Sequence, residues 1–222
     1  MSHALFFNPP LEEHFLGHQM SEIYKDRIYN PFLFGKKDLT IIDVGSNIGL
    51  TSYYFSQFGT VYALEPSTES YDLALQMLAY NGITNVHMIK KALYIEKGKF
   101  PLFDPTGKYD NRTMRSLHSS MDGGKVAPEM VDTITLTDLF SENDIKHVDL
   151  FKMDVEGSEY EIFGHTTFAE VADKIDVIVG ETHAWAGRNP NQIRESLKSN
   201  GFSFEWQPRK DGGEPEMFIA KK

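Results

Sequence analysis

Short hydrophobic runs alternate with longer amphipathic segments along most of the chain. Runs rich in β-branched residues predict strands at residues 39–45, 60–66, 85–93, 148–157 and 175–183. Segments with the spacing of a helix lie between or after them, at residues 49–58, 68–82, 158–174 and 190–201. Two last runs predict a closing antiparallel pair of strands, residues 202–208 and 215–221. Strands that alternate with helices predict an α/β fold with a mostly parallel sheet and helices on both of its faces.

Two parts of the chain depart from this alternation and set the expected domain organisation. Residues 1–38 predict an N-terminal helical extension, in which residues 11–30 form an aromatic-rich helix that ends near Pro31. Residues 39–222 form the main domain. Within it, residues 104–130 are mostly polar and predict a loop far longer than a structural connection needs, which is typical of a lid or of a surface insertion. The runs that flank this loop predict two further paired strands, residues 98–103 and 131–140.

The composition narrows the classes of function. The formal net charge of −10 disfavours a general nucleic-acid-binding protein, which would present a basic surface to phosphate groups. No run of about 18 apolar residues occurs, so no membrane-spanning helix is predicted. The N-terminal residues lack the features of a signal peptide, and the sequence has no cysteine for a disulfide bond or a thiolate site. We therefore expect a cytoplasmic protein with a small-molecule partner, and the sequence indicates no particular oligomeric state.

The first main strand leads into a turn that contains Gly45 and Gly49, and the second strand ends at Glu65. In an open parallel sheet such a turn brings backbone close to a ligand, and glycine permits the approach because it has no side chain. Glu65 can accept two hydrogen bonds from a ribose. Asn47 stands where a dinucleotide-binding fingerprint has its central glycine. Asp43 suits a ligand with a cationic amino-acid end, and S-adenosylmethionine is such a ligand.

Four segments combine this turn with further motifs: IDVGSNIGLTSYYF, VYALEPSTES, AYNGITNV and DLFKMDVEGSEYEIFGH. The glycine turn is common to many methyltransferases, whereas the K-x-D-V-E-G-x-E pattern at Lys152 to Glu159 is far more specific. From about residue 39 to residue 183 the chain resembles the FkbM-type S-adenosylmethionine-dependent methyltransferases. The resemblance implies a class I methyltransferase fold and transfer of a methyl group to a hydroxyl of a sugar or natural product. Ser46 stands where alanine is frequent, and residues 1–38 and 104–130 match nothing that identifies the acceptor.

We predict that the cofactor site is formed by the first turn and by the ends of the neighbouring strands. Its predicted residues are Asp43, Gly45, Ser46, Asn47, Gly49, Glu65, Pro66, Ser67, Ala92 and Asp154. Two alternatives stay open at this stage. One is a nucleotide-binding oxidoreductase of Rossmann type, which the asparagine at position 47 disfavours. The other is a non-catalytic protein that binds S-adenosylmethionine.

Acidic residues and a histidine occupy the ends of the fourth and fifth main strands. Asp154 and Glu156 end one of them, and Glu181 and His183 end the next. Because these strand ends meet at one edge of a parallel sheet, the side chains are expected to face the cleft beside the cofactor methyl group. We predict Asp154, Glu181 and His183 as catalytic residues, with His183 accepting a proton from the acceptor hydroxyl. The same three side chains could instead bind a divalent metal ion.

Two further groups of polar residues have simpler structural interpretations. Glu159 and Glu161 follow Gly157, at which the fourth strand is expected to end, and in a first helical turn both would offset the helix dipole. His14 and His18 lie one helical turn apart and could chelate a metal ion, or lie on a solvated helix face.

Overall fold

The computed structural model describes residue 23 and residues 27–103, 115–117, 129–183, 188–207 and 217–222. The main sheet contains β1 (Leu39–Val44), β2 (Gly59–Leu64), β3 (Val86–Ile89), β7 (Leu150–Met153), β8 (Val177–Glu181), β9 (Ser203–Trp206) and β10 (Met217–Lys221). A smaller sheet contains β4 (Ala92–Leu93), β5 (Lys99–Leu102) and β6 (Glu129–Ile134). The helices are α1 (Asn30–Leu33), α2 (Leu50–Phe55), α3 (Thr68–Tyr80), α4 (Leu136–Glu142), α5 (Glu159–Gly164), α6 (Thr166–Ala169) and α7 (Asn191–Ser199), with a 3-10 turn at Ala172–Lys174.

The seven-stranded sheet has the order β3-β2-β1-β7-β8-β10-β9. The first five strands in this order are parallel, and β10 runs antiparallel to both β8 and β9. The predicted α/β architecture and its antiparallel closing pair are therefore confirmed. The chain leaves β1 toward β2 and β3, then returns to the other side of β1 as β7. This reversal opens a crevice between β1 and β7, where ligands bind in open α/β sheets.

Helices cover both faces of the main sheet. Neighbouring residues of a strand point to opposite faces, so Ile41 and Ile42 of β1 belong to two different clusters of buried side chains. The cluster around Ile42 includes residues of α4, α5 and α7, whereas the cluster around Ile41 includes residues of α1 and α2. Burial on both faces explains why the central strands are almost continuously hydrophobic in sequence. None of the described helices combines the length and apolar character needed to cross a membrane.

The structure describes only the end of the predicted N-terminal helical segment. Most of residues 11–30, including His14 and His18, lies outside the described residues. A short helix, α1, begins at Asn30, whereas we expected a helix to end near Pro31. Proline fits the first turn of a helix because its missing N–H would have no intrahelical partner there.

Two predicted strands are shorter in the structure than in the prediction. One is divided between two sheets, and the other gives way to a helix. Residues 85–93 form two short strands in different sheets, β3 and β4. Residues 131–140 begin as a strand that pairs antiparallel with β5, as predicted, but the strand ends at Ile134. Thr135 then caps α4, because its Oγ1 accepts a hydrogen bond from the backbone N–H of Asp138 at 3.2 Å and donates one to the Asp138 carboxylate at 2.6 Å.

The fourth main strand is shorter than predicted at the edge where the crevice lies. The strand ends at Met153, and the expectation that it continues to Gly157 is wrong. Glu156 and Gly157 have positive φ angles of 53° and 108°, so the chain turns sharply before it enters α5. This turn places Asp154 and Glu156 at the mouth of the crevice instead of inside the sheet.

Candidate active site

The turn after β1 meets the end of β7. Gly45 has a φ of 76°, and a Cβ atom built on it would lie 1.8 Å from the carbonyl oxygen of Asp154, so only glycine fits here. Gly49, with a φ of 83°, faces the side chains of Ala74 and Met77 in α3. Gly45 thus allows the ends of β1 and β7 to approach each other, whereas Gly49 allows α3 to pack against the turn. A direct contact of Gly49 with a cofactor stays a prediction.

Glu65 follows β2 and is almost fully buried. Its Oε2 accepts a hydrogen bond from the backbone N–H of Asn47 at 2.9 Å, and its Oε1 accepts one from the backbone N–H of Ser67 at 2.9 Å. Burial raises the pKa of Glu65 to about 7, although these two hydrogen bonds act in the opposite direction. A carboxylate has about four acceptor positions, so both oxygens still have lone pairs for ribose hydroxyls.

A cleft opens between the first turn, the end of β2 and the small sheet. It encloses about 660 Å³ of space, its open mouth included, which is within the range of small-molecule sites. The predicted cofactor residues that line it are Gly45, Asn47, Glu65, Pro66, Ala92 and Asp154. The predicted residues that do not line it are Asp43, Ser46, Gly49 and Ser67. The structure therefore brings most of the predicted set to one cleft, and the others lie behind its wall.

Asp43 lies behind that wall and has a partner that the sequence pattern did not indicate. Its carboxylate accepts a hydrogen bond from Ser52 Oγ at 2.6 Å and lies 3.4 Å from Lys152 Nζ. Asp43 and Lys152 are opposite each other in the parallel register of β1 and β7. Lys152 also donates a hydrogen bond to the carbonyl oxygen of Gly45 at 2.8 Å. The acid that we expected to meet a cationic ligand is thus paired inside the protein.

Lys152 keeps its charge in this setting. Burial alone would lower its pKa, but the carboxylates of Asp43 and Asp154 outweigh that effect and raise the pKa of the ammonium above its usual range. The sequence did contain a signal for this ion pair. Lys152 lies within the apolar run LFKMD, and a lysine in a buried strand is almost always paired with an acid. The ammonium of Lys152 thus contacts both Gly45 in the turn after β1 and the carboxylate of Asp154.

The rim of the crevice brings the predicted catalytic residues together. His183 Nε2 lies 3.8 Å from Asp154 Oδ1, 3.4 Å from Glu156 Oε2 and 3.7 Å from Glu181 Oε2. All four side chains are half-buried or nearly buried at the ends of β7 and β8. Convergence of these residues on one rim agrees with the sequence analysis, and their role in catalysis stays a prediction.

Glu159 has a function that differs from its predicted one. It begins α5, but its carboxylate is completely buried and lies 2.7 Å from His183 Nδ1. The same carboxylate accepts hydrogen bonds from the backbone N–H groups of Gly157 at 2.9 Å and Val155 at 3.2 Å. Glu159 therefore holds the imidazole in place, instead of only offsetting the helix dipole. Glu161 forms an ion pair with Arg188.

The carboxylates also change the protonation of the rim. Burial acts to lower the pKa of His183, but the hydrogen bond and charge of Glu159, followed by the charges of Glu156 and Asp154, raise it to about 10. Burial raises the pKa of Glu156 to about 7, against the opposing effect of His183. The carboxylates therefore favour a positive charge at this point of the rim, and a protonated His183 can accept a proton from an acceptor only after its own proton leaves.

Part of the predicted 104–130 loop lies against the cleft. Its described residues are 115–117 and 129–130; the last two already belong to β6, so the loop ends earlier than predicted. Arg115 and Leu117 line the cleft. Arg115 donates hydrogen bonds to Ser67 Oγ and, at 3.2 Å, to Glu69 Oε2. Ser116 pairs with Phe103 in an isolated β-bridge and donates from its Oγ to the carbonyl oxygen of Glu156 at 2.6 Å. This short segment therefore spans from the β2 side of the cleft to the rim.

A second, smaller cavity of about 250 Å³ lies beside the rim. Apolar side chains form much of its wall, among them Ile28, Val179 and Met217, and Lys152 and Glu181 add polar groups. Asp154 lines both this cavity and the larger cleft. Asp154 therefore lies where the two cavities meet.

Comparison with known proteins gives a consistent picture. Residues 43–204 match the family described as methyltransferase FkbM domain. The chain is 28% identical over 228 residues to methyltransferase sdnD of Sordaria araneosa, covering 84% of each sequence. It is 26% identical over 170 residues to the hexuronic acid methyltransferase AglP of Haloferax volcanii, covering 77% of this chain and 66% of that protein.

Solved structures with the same fold are more distant in sequence. SMU.1697c of Streptococcus mutans, solved in complex with SAH, has a TM-score of 0.56 at 11% identity and covers 89% of this chain and 97% of that one. Magnesium protoporphyrin IX methyltransferase of Synechocystis PCC 6803, solved with SAM, has a TM-score of 0.53 at 13% identity and covers 96% and 86%. These likenesses establish the class I methyltransferase fold that the resemblance implied.

Proposed function

The chain belongs to the family of FkbM methyltransferase domains, and we propose that it methylates a hydroxyl group of a sugar or small natural product. As a methyltransferase of this family it uses S-adenosylmethionine as the methyl donor. A sugar as the acceptor is supported by the hexuronic acid methyltransferase among its relatives, which by name acts on a sugar acid. The net charge of −10 argues against a nucleic-acid acceptor, and a small-molecule or glycan hydroxyl in the cytoplasm is the substrate we infer.

The observation that carries this proposal is the position of Asp154 between two cavities. In an in-line transfer, the acceptor oxygen forms a bond to the methyl carbon while the carbon–sulfur bond breaks. The products are a methyl ether and S-adenosylhomocysteine, and the hydroxyl proton leaves to a base or to water. The donor and acceptor must approach from opposite sides of the methyl group, with the reacting atoms about 3–3.5 Å apart. Two cavities that meet at Asp154 suit this geometry.

In this proposal the larger cleft binds the cofactor. Glu65 accepts hydrogen bonds from the ribose hydroxyls, and the backbone of Gly45 and Asn47 lies against the ligand, as in the predicted set. Pro66 and Ala92 contribute less polar surface beside the cofactor. Ser46, Gly49 and Ser67 support this wall, and Asp43 supports it through Lys152.

The smaller cavity binds the acceptor. Its apolar wall suits a carbon skeleton, and Glu181 and Asp154 can accept hydrogen bonds from hydroxyl groups. Asp154, fixed next to the Lys152 ammonium at 3.5 Å, orients the reacting hydroxyl toward the cofactor. His183, held by Glu159, completes the rim. Because the sulfonium group is a strong methyl donor, alignment of the acceptor contributes more to the rate than the strength of a base.

The proposal is tested by methyl transfer from labelled S-adenosylmethionine to a panel of sugars, hexuronic acids and small hydroxylated natural products. We expect label in at least one hydroxyl compound, with an equal amount of S-adenosylhomocysteine released. Asp154→Asn should reduce this transfer, whereas Asp72→Asn on the exposed side of α3 should not. Label only in amine or nucleic-acid acceptors would overturn the proposed acceptor class. Cofactor binding without transfer to any compound would favour the alternative of a binding protein.

A further inference from the structure

The carboxylates and the imidazole at the rim have the spacing of ligands around one metal ion. We propose that Asp154, Glu156 and His183 bind a divalent cation of the Mg²⁺ or Mn²⁺ type at the rim, with Glu181 beside it. Oxygen atoms of Asp154 and Glu156 and a nitrogen of His183 lie within 4.8 Å of one another. The binding itself depends only on these side chains, whereas its use in methyl transfer rests on the proposed function.

The distances favour a shared ion over direct hydrogen bonds. Bonds of about 2.1 Å at angles of 90–120° separate two ligand atoms by about 3.0–3.6 Å. The oxygens of Glu156, Glu181 and Asp154 lie 3.4 Å, 3.7 Å and 3.8 Å from His183 Nε2. A hydrogen bond from this nitrogen would need about 2.7–3.2 Å. The ligand atoms of Asp154, Glu156 and His183 therefore leave room for one cation between them.

The other nitrogen of the imidazole is already fixed. Glu159 Oε1 lies 2.7 Å from Nδ1, and the Glu159 carboxylate is itself held by two backbone N–H groups. This contact turns Nε2 toward the carboxylates of Glu156, Glu181 and Asp154. A carboxylate that fixes the far nitrogen of a histidine and directs the near one is the usual support of a metal-binding imidazole.

Charge gives a separate reason for a cation. The described ion pairs of Asp154, Glu156 and Glu159 reach only two basic side chains, His183 and Lys152. Lys152 also neutralises Asp43, which is completely buried. The rim therefore holds more negative than positive charge in a half-buried position, and a divalent cation would offset the excess.

The donor set indicates the class of metal. Carboxylate oxygens outnumber the single imidazole, and the sequence has no cysteine, so hard divalent cations such as Mn²⁺ and Mg²⁺ fit better than soft ones. A cation at this position would contact the acceptor hydroxyl, lower the pKa of that hydroxyl and hold its oxygen in line with the methyl group. The ion, and not His183, would then activate the acceptor.

A second group of potential ligands provides an internal control. His147, Asp149 and Asp176 also lie within 4.8 Å of one another, at the opposite edge of the sheet. His147 is half-exposed, and its Nε2 is 3.1 Å from Asp176, within hydrogen-bond distance. One oxygen of Asp149 accepts a hydrogen bond from the backbone N–H of Thr40 at 2.8 Å. This group already satisfies its own polar atoms, so we expect no tight metal binding there.

The test is a titration of the chelator-treated full chain with Mn²⁺, in which electron paramagnetic resonance measures free Mn²⁺. No S-adenosylmethionine or acceptor is present. We expect one saturable site per chain, with affinity at least tenfold lower in His183→Gln and in Glu156→Gln. Glu159→Gln should also bind more weakly, by roughly 10–100-fold. His147→Gln should bind as the wild type does. Mg²⁺ should compete for the same site.

Two results would overturn the proposal: no saturable Mn²⁺ binding by the wild type, or equal binding by the wild type and both rim variants. Urea unfolding followed by circular dichroism shows which variants are folded. If either His183→Gln or Glu156→Gln fails to fold, the Mn²⁺ affinity of the other variant is compared with that of the wild type. Mn²⁺ binding without methyl transfer to any hydroxyl compound would reject the proposed acceptor class and leave the metal site standing. Methyl transfer to a hydroxyl compound that persists in chelator, together with no Mn²⁺ binding, would reject the metal site and leave the proposed acceptor class standing.

Discussion

Gly45 and Asp154 lie in direct backbone contact, although they are far apart in the sequence. A Cβ atom on Gly45 would come within 1.8 Å of the Asp154 carbonyl oxygen, and the backbone N–H of Asp154 donates a hydrogen bond to the carbonyl oxygen of Val44 at 3.1 Å. The glycine turn after β1 and the acidic motif after β7 are therefore parts of one structure. A shift of Gly45 therefore acts directly on the backbone of Asp154, which lines both cavities.

Gly45→Ala tests this contact. The left-handed backbone alone costs alanine about 1–2 kcal/mol, and the added methyl group must also displace the Asp154 backbone. We expect a larger loss of unfolding free energy than this and no measurable binding of S-adenosylhomocysteine. Gly82→Ala is the matched control, because Gly82 also has a positive φ, 68°, but a Cβ atom added there would meet no atom within 4 Å. Equal effects of the two substitutions in urea unfolding would contradict the close contact.

Glu65→Ala tests the ribose assignment. Loss of hydrogen bonds from the ribose hydroxyls to a carboxylate should weaken S-adenosylhomocysteine binding by about 1.5–3 kcal/mol, measured by calorimetry on folded protein. Asp72→Ala removes the same charge from an exposed position on α3 and should leave the affinity unchanged. An unchanged affinity in the Glu65 variant would mean that the ribose binds elsewhere.

The raised pKa of Glu65 also predicts a pH dependence of stability. The folded protein holds this proton up to a pKa of about 7, whereas the unfolded chain releases it near 4.5. Because the folded state binds the proton more tightly, this group's contribution is largest below pH 4.5 and is lost as the pH rises through 7. At 1.4 kcal/mol per pKa unit the loss is about 3 kcal/mol.

Glu65→Gln cannot ionise and should lack this change. We therefore expect the unfolding free energy of the variant, relative to that of the wild type, to increase between pH 5 and pH 8 in urea titrations. The substitution also gives one backbone N–H group a poorer partner, but that cost does not depend on pH. Parallel pH profiles of the two proteins would show that Glu65 does not bind a proton more tightly in the folded state.

Lys152→Met tests the buried pair behind the cleft. The substitution keeps the volume but leaves the Asp43 carboxylate buried without its cation, which typically costs about 3–5 kcal/mol. Adding Asp43→Asn should recover part of this loss. Lys146→Met removes an exposed pair with Asp144 and should cost less than about 1 kcal/mol. Similar unfolding free energies for the two lysine variants would contradict the structural importance of Lys152.

The lid prediction for residues 104–130 can be tested by limited proteolysis. Arg115 and Leu117 line the cleft, so a bound nucleoside should hold this segment and slow trypsin cleavage at Lys108, Arg112 or Arg115. Cleavage at the exposed Lys36 and Lys37, before β1, provides the reference and should not change. Cleavage that is equally fast with and without S-adenosylhomocysteine would favour a surface insertion.

The sequence predicted those parts of the molecule in which local pattern and tertiary structure agree. Buried parallel strands are hydrophobic on both faces, so β1, β2, β7 and β8 were visible as continuous apolar runs. The glycine turn and Glu65 were visible because their positions at strand ends are fixed by the fold itself. The ends of elements were harder to predict. A helix begins after Thr135, and the chain turns at Glu156 and Gly157, but the apolar pattern of the sequence continues through both places.

The parts that the sequence did not predict depend on contacts between distant segments. The pairing of Asp43 with Lys152 follows from the register of β1 against β7, which no local pattern specifies. Glu159 has the position of an ordinary helix N-terminal acid, and only the fold shows that His183 lies 2.7 Å from it. Arg115 lies inside a long polar loop, and nothing near it in sequence indicates its contact with Ser67.

The central claim is that S-adenosylmethionine binds in the larger cleft with its methyl group directed at the acidic rim. A crystal structure of the protein with S-adenosylhomocysteine tests it most directly. We predict that the ribose hydroxyls lie within hydrogen-bond distance of the Glu65 carboxylate and that the sulfur atom faces Asp154 and His183. A nucleoside bound outside the cleft, or a sulfur atom turned away from Asp154, would contradict it.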